Sequence, residues 1–254
     1  LHTWISRTNG KTSWQDQFKF KWLKRAKHVI ACSDAIRTKC WPDALVIANP
    51  YKDDSFQILP ETSRTKDFIF VGRLVSDKGA DLAIKAFHIL INKKKDQQFY
   101  SNTTLTIIGD GPEKTRLQNL VYELKLDKQI VFKGSLHGPD LVKCLNLHRF
   151  ILVPSIWEEP FGIVALEGMA CGCIPIVSDG GGLPAAVGNA GLVFKSGDAN
   201  SLASAIEQLL NDPQLEQTLR DAAPVHLENH KQGIISKQYL NVINNSVENY
   251  SLAI

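Results

Sequence analysis

Long apolar runs, paired cysteines and net charge are all scarce in this sequence. No uninterrupted apolar run approaches the roughly 18 residues that a membrane-spanning helix needs, so no transmembrane span is predicted. The five cysteines, Cys32, Cys40, Cys144, Cys171 and Cys173, are odd in number and contain no CxxC pair. That usage argues against a disulfide or zinc framework and predicts reduced, buried thiols in a cytosolic setting. Formal net charge is only +3 over 254 residues, so no global field points to nucleic acid. No GxGxxG follows the first strand-like run, which disfavours a dinucleotide-dependent dehydrogenase. Internal repeats are absent, and the one biased tract, the lysines at 93–95, reads as a solvated face at a helix end. What remains is an ordinary globular composition, 44% hydrophobic and 22% charged, able to bury a sizeable core.

Within residues 12–26, Trp14, Phe18 and Trp22 recur every fourth position, a helical apolar stripe read here as core-facing. Lys19, Lys21, Lys24, Arg25 and Lys27 interleave with it, which leaves open a weak peripheral contact with an anionic membrane. The strand HVIACS follows, then Ser33 as N-cap of DAIRTKCW, then the strand LVIANP. Residues 51–66 lack periodicity and read as a linker. Beyond them the strands DFIFVGRL, LTIIGDGP, QIVFKGSL, RFILVPS, IPIVSD and GLVF alternate with helical runs, and helices over SLASAIEQLL and 213–223 close the pattern. Such alternation predicts an α/β chain with a doubly wound parallel sheet. Ligands of such sheets bind beyond the C-terminal ends of strands.

The residues at those ends are chemically distinctive. After DFIFV come Gly72, Arg73 and Lys78, a guanidinium fork and a mobile ammonium suited to a diphosphate, with Gly79 opening the next helix. After LTII comes the turn Gly109-Asp110-Gly111, where turn chemistry is the plainer reading of the aspartate. QIVF ends at Lys133 and Gly134. RFILVPS leads into Ser155, Glu158, Glu159 and the segment EPFGIVALEGMACGCIPIVS. Read as strand, loop and helix, this segment puts Phe161, Gly162 and Ile163 at a helix N-terminus, whose free amides favour an anion. A helix running through both Glu159 and Glu167 would set them about 80° apart around its axis and about 12 Å apart along it. Glu158 is read as exposed. No DxD-like metal motif sits at these strand ends, and neither metal nor cofactor is expected.

Taken together, these motifs resemble the retaining glycosyltransferases of family 4, the group 1 glycosyl transferases, which have the GT-B fold and carry two glutamates separated by seven residues, usually within EPFG. The resemblance implies a Rossmann-like donor domain with a partial second Rossmann-like domain. It divides the chain into residues 1–50 (end of the acceptor-side domain), 51–66 (interdomain linker), 67–225 (nucleotide-sugar-binding domain) and 226–254 (a C-terminal helix returning toward the first part). It implies transfer of a sugar from a nucleoside diphosphate sugar to a hydroxyl of a sugar, glycolipid or lipid-linked acceptor, with retention. Arg73 and Lys78 would serve the diphosphate, Glu159 the donor sugar and Glu167 the ribose. Gly72, Gly109, Asp110, Gly111, Lys133, Gly134, Ser155 and the amides of Phe161, Gly162 and Ile163 would line the donor site. His2 would stand across the cleft as a further catalytic residue. Gly180, Gly181 and Gly182 would form a flexible loop facing the site. Ala185 stands about where the family usually has a glutamate, a departure from the pattern. The resemblance also implies a fragment lacking most of the acceptor-side domain, in which Trp14, Phe18 and Trp22 would be poorly covered. The rival reading is a non-catalytic nucleotide-sugar-binding module. An epimerase or phosphorylase lacks its signature residues here. The implied location is cytoplasmic, with peripheral contact at the inner face of the membrane left open.

Overall fold

Every apolar run with strand-like alternation forms a strand, and all of them pair in parallel. A computed structural model describes residues 1–4, 14–60, 62–93, 100 and 102–251 of the chain. Helix α1 (Trp14–Leu23) precedes β1 (Ile30–Ala31), α2 (Asp34–Cys40) and β2 (Leu45–Val46), and β1 and β2 form a two-stranded sheet. Ser33 caps α2 as expected, its hydroxyl accepting from the Ile36 amide. The larger sheet contains β3 (Lys66–Val71), β4 (Leu105–Ile108), β5 (Ile130–Gly134), β6 (His148–Val153), β7 (Ile174–Ser178) and β8 (Leu192–Phe194). Its six strands lie in the order β5-β4-β3-β6-β7-β8. The strand order therefore reverses between the neighbours β3 and β6, and that crevice is the topological switch point of a doubly wound sheet. Helices α3 (Ala80–Ile91), α4 (Lys114–Glu123), α5 (Gly138–Asn146), α6 (Ile163–Ala170) and α7 (Leu183–Val187) connect or follow these strands, before α8 (Ala199–Asn211), α9 (Pro213–Glu228) and α10 (Gln232–Ser251).

The central strands β3, β4, β6 and β7 are buried on both faces over most of their length, as parallel strands covered by helices must be. Ile69, Ile151 and Val177 join one core with Ala165, Leu166 and Met169 of α6. Phe68, Phe70, Phe150 and Leu152 join the other with Phe87 and Leu90 of α3 and Leu202 and Ile206 of α8. Phe68 stacks on Phe150 at 4.8 Å between ring centroids and meets Phe87 edge-on at 5.4 Å. All five cysteines are buried and free, in keeping with the expected reduced thiols. Helix α9 runs past the expected end at 223 and through Pro224. Ala222, Ala223 and Leu227 pack against the core there, which offsets the amide that Pro224 cannot donate.

The core-facing reading of Trp14, Phe18 and Trp22 is overturned. Their exposures are 70%, 57% and 64%, and the opposite face of α1 is the one that packs. There Asp16 is buried and Phe20 and Leu23 lie against the core, with Phe20 stacked on Trp41. Residues three and four apart share a helix face, so two apolar faces were available and the sheet takes Phe20 and Leu23. Residues 12 and 13 of the expected helix lie outside the described residues. So do Lys94 and Lys95; Lys93 pairs with Glu207 instead of standing free in solvent.

Residues 51–60 and 62–65 are irregular but well fastened. The Leu59 amide donates to Asn146 Oδ1 at 2.8 Å, and Arg64 donates to the carbonyls of Asn146, His148 and Cys171. Hydrogen bonds tie the C-terminal region to earlier parts of the chain. The Tyr51 amide donates to the His230 carbonyl at 3.2 Å, and Lys27 Nζ to the Ser246 carbonyl at 2.9 Å. None of the described helices is long and apolar enough to cross a membrane.

Candidate functional site

Glycines bring the ends of β3, β4 and β6 together. Gly109 has φ +140°, and a Cβ there would lie 1.9 Å from the Gly72 carbonyl oxygen. Gly79 has φ +71°, and its Cβ would lie 1.9 Å from the Pro154 oxygen. Only glycine tolerates both the backbone conformation and the approach. The short 3-10 turn Ser76–Lys78 before Gly79 thereby carries Lys78 against the loop after β6.

Here Lys78 Nζ meets Glu159 Oε1 at 2.5 Å, and Ser155 Oγ donates to the same oxygen at 2.7 Å. The two charged side chains are only 29% and 15% exposed. Ser155 is itself held, its carbonyl accepting from Ser178 Oγ at 2.7 Å. Gly72, Arg73, Lys78, Ser155, Glu159 and Val164 line a cavity of about 330 Å³ at the switch point. A second cavity of about 240 Å³ shares Gly72 and Arg73 and continues past Gly109 and Asp110 to Ser135 and His137. The two form adjoining lobes of one cleft across the ends of β3, β4, β5 and β6.

Glu159 lies outside the helix, which corrects the expected geometry of the two glutamates. Pro160 disfavours a helical Glu159, and Gly162, at φ +117°, is the N-cap of α6. Only Glu167 is helical, so the spacing computed along a common axis does not apply. Glu167 is half-buried, and among the described residues it makes no side-chain hydrogen bond or ion pair. Burial pushes its carboxyl up from 4.5 to about 7, with Lys52 pulling weakly the other way.

Other expected residues divide. Phe161 is 3% exposed and packs in the core, its ring 5.6 Å from that of His230. Ile163 begins α6 and is 38% exposed, and the first amides of the helix have no intrahelical acceptor. Asp110 accepts from the Gly111 amide and from Lys114 Nζ, both at 2.8 Å, and these bonds hold its carboxyl below the usual range. That is turn chemistry, although the residue also borders the second lobe. Lys133 is exposed and lines neither lobe, and the Gly134 carbonyl accepts from the Gly109 amide at 2.8 Å.

His2 is placed elsewhere. It meets Asn49 Oδ1 at 2.9 Å and lines a separate apolar cavity with Trp4, Phe18 and Trp22. Gly180–Gly182 are packed under the loop that carries Glu159 and not free: Gly182 donates to the Glu159 carbonyl at 2.7 Å, and a Cβ on Gly181 would lie 2.2 Å from that oxygen. Ala185 is exposed on α7. Glu158 is half-exposed, as expected, but ion-paired with Lys39. Sequence reasoning missed Ser135, His137 and Val164; the first two follow the end of β5, the position at which such sheets bind ligands. Among the described residues, no cluster of His, Cys, Asp and Glu could hold a metal ion.

Two larger cavities lie away from these strand ends. The one beside Arg64, about 480 Å³, is mainly apolar, and the Arg64 N–H groups are committed to backbone carbonyls. The cleft with convergent polar groups is therefore the smaller one, at the switch point.

Known proteins resemble this chain in sequence and in fold. The D-inositol 3-phosphate glycosyltransferase of Corynebacterium aurimucosum is 30% identical over 217 residues, covering 79% of this chain and 51% of that protein. A glycogen synthase of Mycobacterium tuberculosis is 31% identical over 232 residues, covering 87% of this chain and 54% of that protein. The chain thus spans about half the length of the curated relatives it matches. Among solved structures, Anabaena HepE in complex with UDP and glucose aligns with a TM-score of 0.80 at 21% identity, over 96% of this chain and 70% of that one. A glycosyltransferase from Rickettsia africae aligns with a TM-score of 0.75 at 20% identity, over 92% and 68%. The architecture is therefore Rossmann-like and of GT-B type. Residues 52–226 match the family described as glycosyl transferases group 1, and the chain belongs to that family.

Proposed function

We propose that this chain forms the donor side of a retaining family 4 glycosyltransferase, which transfers a hexosyl-type sugar from a nucleoside diphosphate sugar to an acceptor hydroxyl. One observation carries the reading: Lys78, Ser155 and Glu159 converge with Gly72 and Arg73 in one cavity at the switch point of the sheet. Lys78 and Arg73 take the diphosphate, and Glu159 takes sugar hydroxyls as a hydrogen-bond acceptor. Glu167 takes the ribose hydroxyls, and the lobe by Gly109, Ser135 and His137 takes the nucleobase. In the free protein Lys78 is paired with Glu159, so donor binding redirects its ammonium toward the diphosphate. Charge developing on the leaving diphosphate is met by fixed cations and the first amides of α6, and a divalent ion is not required.

The relatives named for sugar transfer and the UDP and glucose bound to HepE support a nucleotide sugar as donor. We further propose residues 1–50 as the acceptor-side part, 51–66 as the linker, 67–225 as the donor domain and 226–254 as the returning helix. The acceptor is a sugar, glycolipid or lipid-linked hydroxyl, and the protein acts in the cytoplasm, with the exposed face of α1 available to an anionic membrane. His2 is not given a role in the cleft. Thermal shift with UDP-, GDP- and ADP-sugars in excess chelator tests the reading. A ligand at a hundred times its Kd adds about 2.7 kcal/mol of stability. No shift with any donor, or a shift only when magnesium or manganese is restored, would refute it in whole or in its metal-free part respectively.

A further inference from the structure

The loop carrying Glu159 is gripped from the side of the small sheet. Four side chains from the first forty residues converge on the residues flanking that glutamate, Cys32 among them through its Sγ at 3.5 Å from the Pro160 carbonyl oxygen. Trp4 Nε1 donates to the Glu158 carbonyl at 2.5 Å. Lys39 Nζ meets the two Glu158 carboxylate oxygens at 2.5 and 2.6 Å and lies 5.2 Å from the centroid of the Trp4 ring. Ser33 Oγ donates to the Pro160 carbonyl at 2.6 Å while accepting from the Ile36 amide as the cap of α2. Glu159 therefore has both chain neighbours tied to the β1–β2 segment, its own carbonyl tied to Gly182, and its carboxylate tied to Lys78 and Ser155.

We propose that Lys39, Ser33 and Trp4 are positioning residues for Glu159, forming a latch through which the β1–β2 segment sets the carboxylate that meets the donor sugar. The proposal rests on the sugar-binding reading of Glu159. Lys39 and Glu158 are the releasable members, since their side chains are 53% and 49% exposed and solvent weakens their attraction. Ser33 fixes the loop at Pro160, where no amide proton is available and the carbonyl is the only backbone group to hold. An acceptor held against the β1–β2 segment would share this route to the donor sugar, because moving α2 moves both ties. Glu158, the acid beside the motif, thus belongs to the latch and not to the ligand.

The test uses the whole 254-residue chain with Lys39→Glu, Glu158→Lys and the double charge swap. Calorimetry compares UDP-glucose and GDP-glucose with UDP and GDP. Each single variant should weaken the sugar-bearing ligand about three- to tenfold and change the bare nucleotide less than about twofold; the swap should recover most of the loss. Hydrogen exchange at residues 156–163 should quicken in the single variants and slow again in the swap. Equal losses for sugar-bearing and bare nucleotides, or no recovery in the swap, would overturn the latch. An unaltered chain that binds none of the four ligands, nor ADP or any ADP-sugar, would overturn the functional reading, and the role given to the latch with it.

Discussion

Replacing Glu167 with glutamine should make the ligand-free protein more stable at alkaline pH and weaken nucleotide binding at the same time. The carboxyl sits half-buried on α6 with no ion-pair partner among the described residues, and burial raises it from 4.5 to about 7. Below pH 4.5 it is protonated whether the chain is folded or not. Between 4.5 and about 7 the unfolded chain has released the proton and the folded one has kept it. Stability therefore falls as pH rises through that window, and levels off above it. A shift from 4.5 to about 7 corresponds to about 3 kcal/mol, and partial solvent access reduces the expected effect to about 2 kcal/mol. Urea denaturation of both proteins at pH 4.5 and pH 8 measures it. The advantage of Glu167→Gln should grow by about 2 kcal/mol between the two. On the proposed ribose assignment, hydroxyls would donate to the ionised carboxylate, so nucleotide binding below pH 7 should also release a proton, seen as buffer-dependent heat in calorimetry. A stability difference that does not change with pH would refute the argument from burial. Nucleotide affinity untouched by the substitution would refute the ribose assignment.

Lys78→Ala should weaken nucleoside diphosphate binding by about 1.5–3 kcal/mol, the usual worth of a charge-assisted bond, whereas Lys85→Ala on the outer face of α3 should not; equal losses by calorimetry would exclude the diphosphate role. Glu159→Gln should weaken the intact donor while sparing the bare nucleotide, and the same titrations with and without the sugar decide it. Gly79→Ala should cost at least about 1–3 kcal/mol, because its φ is +71° and the added carbon would fall on the Pro154 carbonyl. An unchanged melting temperature would show that the β3–α3 turn can be rebuilt without bringing Lys78 out of place.

Local pattern was enough to find the strands. Runs such as Phe68–Val71 and Phe150–Val153 alternate between two buried faces, and turn residues close them, so burial on both sides writes itself into the sequence. It was also enough to place Arg73 and Lys78 after the end of β3, where both line the cavity. Glu159 was legible as a site residue, but a helix drawn through it was not justified: Pro160 and Gly162 already marked where α6 could begin. Other features had no local signature. Trp14, Phe18 and Trp22 form as good a stripe as Phe20 and Leu23, and a period tells which residues share a face, not which face meets the core. The pairing of Lys39 with Glu158 spans 119 residues, and that of Trp4 with the same residue 154. Sequence alone determined which side chains and turns stand at the strand ends. Only the packing of the β1–β2 segment against the sheet decided what grips Glu159, because such contacts depend on the placement of whole elements, which no local period encodes.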